Sequence, residues 1–186
     1  MSKKPLIIST DPGIDDIAAM TISLFADELD VKMIVPTWGN VSLAHTLQNT
    51  LDLENFLHTK VPVVKGANQP LVRPAISAAS VHGETGIAGF ELEKANDDLL
   101  EPGLAATKMY EIIKNSPEKV TLLGVGPLTD FALLFKQYPD VVKNIAEVYI
   151  MGGNIGHGNH SPIAEYNIAG DPEAAQIVFH SALPVY

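Results

Sequence analysis

The chain has 186 residues with 46% apolar side chains, enough to fill the core of one domain of ordinary size. Twelve Lys and Arg against twenty-two Asp and Glu give a formal charge of −10, with no basic run able to neutralise a phosphate backbone, which argues against nucleic acid as a partner. The absence of cysteine excludes a disulfide framework, a thiolate zinc site and a cysteine nucleophile, so any metal must be held by oxygen or imidazole.

The opening run MSKKPLIISTDPG is too short in apolar residues for a signal-peptide core, and no stretch of roughly eighteen apolar residues follows it. A soluble, cytoplasmic protein without membrane contact is the expectation. Residues 6–9 read as a strand. Residues 15–28 read as a helix, because Ile17, Met20, Thr21, Leu24 and Phe25 recur at three- and four-residue spacing. A second strand is predicted over 31–36, a helix over 42–58 with Leu43, Leu47, Leu51 and Leu57 as its core face, and a third strand over 61–64. Residues 102–115, 119–125, 128–136 and 146–151 continue the alternation, and 171–181 form a further helix with Pro172 suited to its first position.

Strands alternating with helices predict an α/β fold with an open, mostly parallel, doubly wound (Rossmann-like) sheet covered on both faces, as one domain over residues 1–186. Ligands then sit beyond the carboxyl ends of the strands. Segments 66–101 and 152–164 break the rhythm as long glycine-containing loops, and loops of that length in a compact domain are functional or disordered. Residues 183–186 look like the opening of one more strand that the chain does not continue, so truncation at the carboxyl end is expected. Charged residues are only 18%, which suggests surface covered in an oligomer.

The most informative stretch is Ser9-Thr-Asp-Pro-Gly-Ile-Asp-Asp16. Asp11 falls at the edge of the first strand, Pro12-Gly13 turns the backbone, and Asp15 and Asp16 open the following helix. One aspartate would satisfy the free amides of a helix start. Three carboxylates converging on one crevice repel each other unless a cation or proton offsets them, and oxygen-only donors suit Ca²⁺ or Mg²⁺.

This run resembles the signature of the inosine-uridine preferring nucleoside hydrolases, an acidic D-P-G-x-D-D directly after the first strand. The resemblance continues through Thr37-Trp-Gly-Asn40, Gly66-Ala-Asn-Gln-Pro-Leu71, Val81-His-Gly-Glu-Thr-Gly86, Gly124-Val-Gly-Pro-Leu-Thr129, Met151-Gly-Gly153, Ala164-Glu-Tyr-Asn-Ile168 and Asp171-Pro-Glu-Ala-Ala175. It implies the fold of that family, of which this chain would be the amino-terminal part of a domain of roughly three hundred residues. It also implies hydrolysis of the N-glycosidic bond of ribonucleosides to ribose and free base with a bound Ca²⁺, in nucleoside salvage of purine or pyrimidine, by a homodimer or homotetramer.

By the same resemblance Asp11 ligates the metal and takes a proton from the attacking water. Asp16 ligates it, Val125 does so through its backbone carbonyl, and Asp15 touches the ribose or the metal shell. Asn40, Asn159, Glu165 and Asn167 match residues that hold ribose hydroxyls, His82 one of a flap over the substrate, and Tyr166 a residue near the nucleobase. Taken alone, Asn40 and Asn159 read as turn residues and Tyr166 as a core or hinge aromatic. Trp38 is expected to pack at a strand end, and His157 and His160 to face solvent.

Two departures bear on activity. Ser9 stands where many members carry another aspartate, and the family's last calcium carboxylate and base-protonating histidine belong to its carboxyl-terminal segment. A non-catalytic relative that binds ribose or Ca²⁺ is therefore one alternative. An Mg²⁺-dependent aspartate phosphatase is another, although no lysine or arginine lies within Asp11–Asp16 to hold a phosphate. Gly124-Val-Gly126 suggests a dinucleotide fingerprint, but Thr129 occupies its third glycine position.

Overall fold

A computed structural model describes residues 3–89 and 91–186; Phe90, inside the segment predicted as a loop, lies outside the described residues. The strands are β1 Lys4–Thr10, β2 Leu29–Pro36, β3 Val63–Val64, β4 Leu100–Glu101, β5 Val120–Gly124 and β6 Ile145–Ile150. The helices are α1 Ile14–Phe25, α2 Leu43–Leu57, α3 Ala79–His82, α4 Ala105–Asn115, α5 Thr129–Gln137, α6 Tyr166–Gly170 and α7 Pro172–Phe179, with a 3-10 turn at Pro139–Asn144. The strands form one sheet in the order β4-β3-β2-β1-β5-β6, every neighbouring pair parallel.

The centre of β1 is continuously apolar because both its faces are covered, and Leu6, Ile7 and Ile8 are buried. On one face Ile7, Met33, Val35, Leu122 and Val148 pack with Met109 and Ile113 of α4, Phe131 and Leu134 of α5, and Val178 of α7. On the other, Ile34 packs with Met20 of α1 and Leu53 of α2. The sheet is therefore doubly wound, as the alternation implies. Its order turns at β1, with β2 on one side and β5 on the other, and such a switch point opens a crevice at the strand ends. Asp11 directly follows β1 and Val125 directly follows β5.

Several boundaries differ from the sequence reading. The first helix ends at Phe25, and Phe25 is exposed instead of lying on the core face; Met20 is buried while Ile14 and Ile22 also point outward. With apolar residues nearly all round α1, periodicity could not tell which stripe meets the sheet. The segment 66–101 contains α3 and β4, and the helix predicted from 102 begins at Ala105 because Pro102-Gly103 precedes its cap. Asp171 caps α7 without joining it, and Pro172 takes the first helical position as expected. Residues 152–164 remain a loop, apart from a bridge between Ser161 and Ala164. Val185 bridges Val148 in parallel, so 183–186 do lie along β6 as an incipient strand. No described helix is long and apolar enough to cross a membrane.

Candidate active site

The crevice is built around two buried acids. Asp11 is 1% exposed and Asp16 2%. The turn at Pro12-Gly13 carries the chain from strand to helix, and Asp16, in the first turn of α1, reaches back to accept from Gly13 N at 3.0 Å. Thr10 Oγ1 donates to the other oxygen of Asp16 at 2.7 Å. Asp11 Oδ2 accepts from the backbone N–H of Asn40 at 2.6 Å. The side-chain amide of Asn40 donates to the carbonyl of Asp11 at 3.0 Å and to Asp16 Oδ2 at 3.3 Å. Asn40 thus ties both acids to the end of β2.

Electrostatics in this crevice are unbalanced. Burial first, and then the neighbouring charge of Asp16, raise the carboxyl of Asp11 well above the usual range. Burial likewise pushes Asp16 up to about 6, against the opposing hydrogen bonds from Thr10 and Gly13. Among the described residues no Lys, Arg or His forms an ion pair with either acid. Two desolvated carboxylates without a cationic side chain are hard oxygen donors suited to a divalent cation of the Ca²⁺ or Mg²⁺ type, and Val125, whose carbonyl accepts from Asn167, lines the same cleft.

The convergence is narrower than the spacing of three aspartates suggests. Asp15 is exposed at the rim, and no group of three metal-binding acid or imidazole side chains gathers among the described residues. The reason is helical phase: residue 15 lies about 100° round α1 from residue 16, so only one of the two can face inward.

A cleft of about 170 Å³ adjoins the pair and is lined by Asp15, Asp16, Asn40, His82, Val125, Asn159, Glu165, Tyr166 and Asn167, together with Ala78, Val81 and Met151. The residues that the resemblance assigns to the site line this cleft, except Asp11, which is bonded to the lining residue Asn40; Trp38, His157 and His160 do not line it. Several of the lining side chains are engaged with backbone. Glu165 accepts from Asn167 N, Ile168 N and Gly153 N at 3.0, 3.1 and 3.0 Å, which caps α6. Asn167 Nδ2 donates to the carbonyls of Val125 and Met151, both at 3.0 Å. Asn159 Oδ1 accepts from Tyr166 N at 2.8 Å. The phenol of Tyr166, kept protonated chiefly by burial, donates to Gly39 O at 2.8 Å, and His160 packs edge-on against its ring. His82 Nδ1 is buried without a hydrogen-bond partner, facing Gly13, where a Cβ would come within 2.7 Å.

Two glycines and a threonine escaped the sequence reading. A Cβ on Gly39 or on Gly126 would collide with the Asp11 carboxylate, so both must be glycine for the chain to close around the acid. Gly39 lies within the Thr37–Asn40 motif and Gly126 within the Gly124–Thr129 motif, which was the available signal. Thr10, donor to Asp16, had none beyond adjacency. Trp38 packs, buried, just beyond the end of β2 as expected, and its indole N–H also donates to Thr129 Oγ1 at 3.1 Å. A larger hollow of about 740 Å³ between α2 and residues 85–94 holds none of the paired acids, so the chemistry points to the smaller cleft.

A doubly wound parallel sheet with an acidic switch-point crevice fanned by amides defines the class: an α/β protein with a polar cleft at its strand ends. Residues 6–186 match the model of the inosine-uridine preferring nucleoside hydrolases, and the chain belongs to that family. It is 48% identical over 182 residues to the non-specific ribonucleoside hydrolase RihC of Klebsiella pneumoniae, spanning 97% of this chain and 59% of that one. The protein of the same name from Salmonella typhimurium is 44% identical over 181 residues, spanning 97% and 58%. The solved purine-preferring ribonucleoside hydrolase from Gardnerella vaginalis matches with a TM-score of 0.92 at 30% identity, covering 98% of this chain and 59% of that one. The chain thus spans about three-fifths of the length of these relatives.

Proposed function

We propose that the protein hydrolyses the N-glycosidic bond of ribonucleosides, giving ribose and the free base. The observation that carries this reading is the buried pair Asp11 and Asp16, held by Asn40 without a cationic neighbour, in a chain of this family. Asp11 is the general base: burial raises its affinity for a proton, which suits removal of one from water near neutral pH. The water oxygen forms a bond to the anomeric carbon while the bond to the base nitrogen breaks with its electron pair, and the proton taken by Asp11 is returned, through solvent, to the leaving base. Positive charge that develops on the sugar is offset by the carboxylates around it.

Asp11, Asp16 and the Val125 carbonyl would hold a divalent cation, which we take to be Ca²⁺, with Asp15 nearby at the rim. When bound it supplies a positive field that eases deprotonation of water. Asp15, Asn40, Asn159, Glu165 and Asn167 offer the ribose hydroxyls acceptors and donors around the cleft, which a dry site must provide because unpaired polar groups are costly there. His82 and Tyr166 close the side toward the base. We place the reaction in cytoplasmic nucleoside salvage, by a homodimer or homotetramer; exposed Ile22 and Phe25 and the low charged content of 18% support a covered surface.

Ribose release from inosine and uridine, followed by a reducing-sugar assay with CaCl₂ and with EDTA, tests the proposal. Turnover that Asp11→Asn lowers by about 10²–10⁴-fold is expected. No ribose, or equal rates in wild type and variant, contradicts it, and phosphate release from p-nitrophenyl phosphate would favour the phosphatase reading instead.

A further inference from the structure

Three buried side chains that the proposed reaction does not use form one hydrogen-bonded line behind the crevice. Trp38 Nε1 donates to Thr129 Oγ1 at 3.1 Å, and that hydroxyl donates to Asp171 Oδ2 at 2.7 Å. None of the three is more than 2% exposed. Asp171 is itself fixed by the N–H groups of Leu71 and Ala174 at 2.9 and 3.0 Å. The Trp38 ring also lies against Gly170, where a Cβ would meet it at 3.0 Å.

The other end of this line reaches the acids. Trp38 begins the short segment 38–40, whose next residue, Gly39, closes on the Asp11 carboxylate and whose third, Asn40, donates its backbone N–H to Asp11 Oδ2. The segment is also tied at its other end, where Asn40 O accepts from Ala78 N at 2.9 Å and the Asn40 side chain bonds Asp11 and Asp16; at its Trp38 end the ties are the relay, Trp38 N to Ala67 O at 3.0 Å, and Tyr166 to Gly39 O. A hydroxyl that accepts from the indole and donates to a carboxylate fixes the rotamers at both ends, and such buried chains reinforce each bond within them. A buried indole N–H requires an acceptor, and Thr129 is the one that holds this ring in place.

We propose that Trp38, Thr129 and Asp171 are positioning residues whose relay sets the Asn40 amide against Asp11 and so orients that carboxylate for its reaction. The role in catalysis rests on the reading of Asp11 as the base; the relay itself does not. Thr129→Val keeps the volume but leaves the indole N–H without an acceptor, whereas Thr129→Ser keeps the hydroxyl. Trp38→Phe keeps an aromatic ring and the Thr129–Asp171 bond, so it tests the relay even where Thr129→Val impairs folding.

Trp38 is the only tryptophan in the sequence, so ¹⁵N-labelled protein shows a single indole N–H resonance. In Thr129→Val that resonance moves upfield, and the Asn40 amide resonance moves with it; Trp38→Phe moves the Asn40 amide, and Thr129→Ser restores both signals. In the ribose-release assay kcat falls about tenfold or more in Thr129→Val and Trp38→Phe with KM within about twofold, while Thr129→Ser stays within about twofold of wild type. An Asn40 amide unmoved in both disrupting variants overturns the relay, and unchanged kcat in both overturns its part in catalysis. Absence of ribose release by wild type refutes the proposed reaction instead, and the resonances alone then decide the relay.

Discussion

Asp130 is another buried acid, and its surroundings differ from those of Asp11 and Asp16. Both its oxygens accept from Ala67 N, at 3.0 and 3.1 Å, and burial pushes its carboxyl up to about 6. A raised folded-state value means that the folded protein favours the protonated form. The contribution is present below about pH 4 and is lost as pH rises through 6, by up to about 3 kcal/mol. Urea unfolding across this range should show a flatter decline in Asp130→Asn than in wild type; parallel curves would contradict the assignment. Gly126→Ala makes a separate prediction. Its new Cβ displaces the Asp11 carboxylate, so ribose release should fall about a hundredfold, and an unchanged rate would show that the close approach does not matter. At this scale the acids were legible because three aspartates within six residues exceed what a helix start needs. The role of Asn40 in holding them was not, since it depends on contacts 24 and 29 residues apart in sequence.

Among elements, short α6 has influence out of proportion to its length. Glu165 caps it and also holds Gly153 N, so one carboxylate fixes both the helix and the start of the 152–164 loop. Glu165→Ala should cost about 1–2 kcal/mol in denaturant unfolding. It should also speed hydrogen exchange at the amides of Gly153, Asn167 and Ile168, and exchange unchanged at all three would argue against the cap. The longer elements were readable from short apolar runs in β1, β2 and β5 and from helical spacing in α2. The third strand, expected over 61–64, is present but shorter, as β3; β4 with two residues and α3 with four are too short for any period to register. Phe25 was misassigned for the opposite reason, an excess of apolar residues around one helix.

In the whole molecule, the switch point between β1 and β5 explains why residues as distant as Asp11, Asn40, Val125 and Asn167 share one crevice. The alternation of elements made that architecture legible, while strand order came from the structure. The chain spans about three-fifths of its curated relatives. Its own acids are nonetheless desolvated and both hydrogen-bonded to Asn40. A cation that binds only the folded state stabilises it by mass action, about 2.7 kcal/mol at a hundredfold excess over Kd. Thermal unfolding should therefore shift upward with CaCl₂ in wild type and stay put in Asp16→Asn; an equal shift in both would place the ion elsewhere. The most direct test of the central claim is a calorimetric titration of the protein with Ca²⁺. The account predicts one ion per chain, with affinity reduced at least about tenfold in Asp11→Asn and in Asp16→Asn. Absence of binding to wild type, or undiminished binding to both variants, would contradict it.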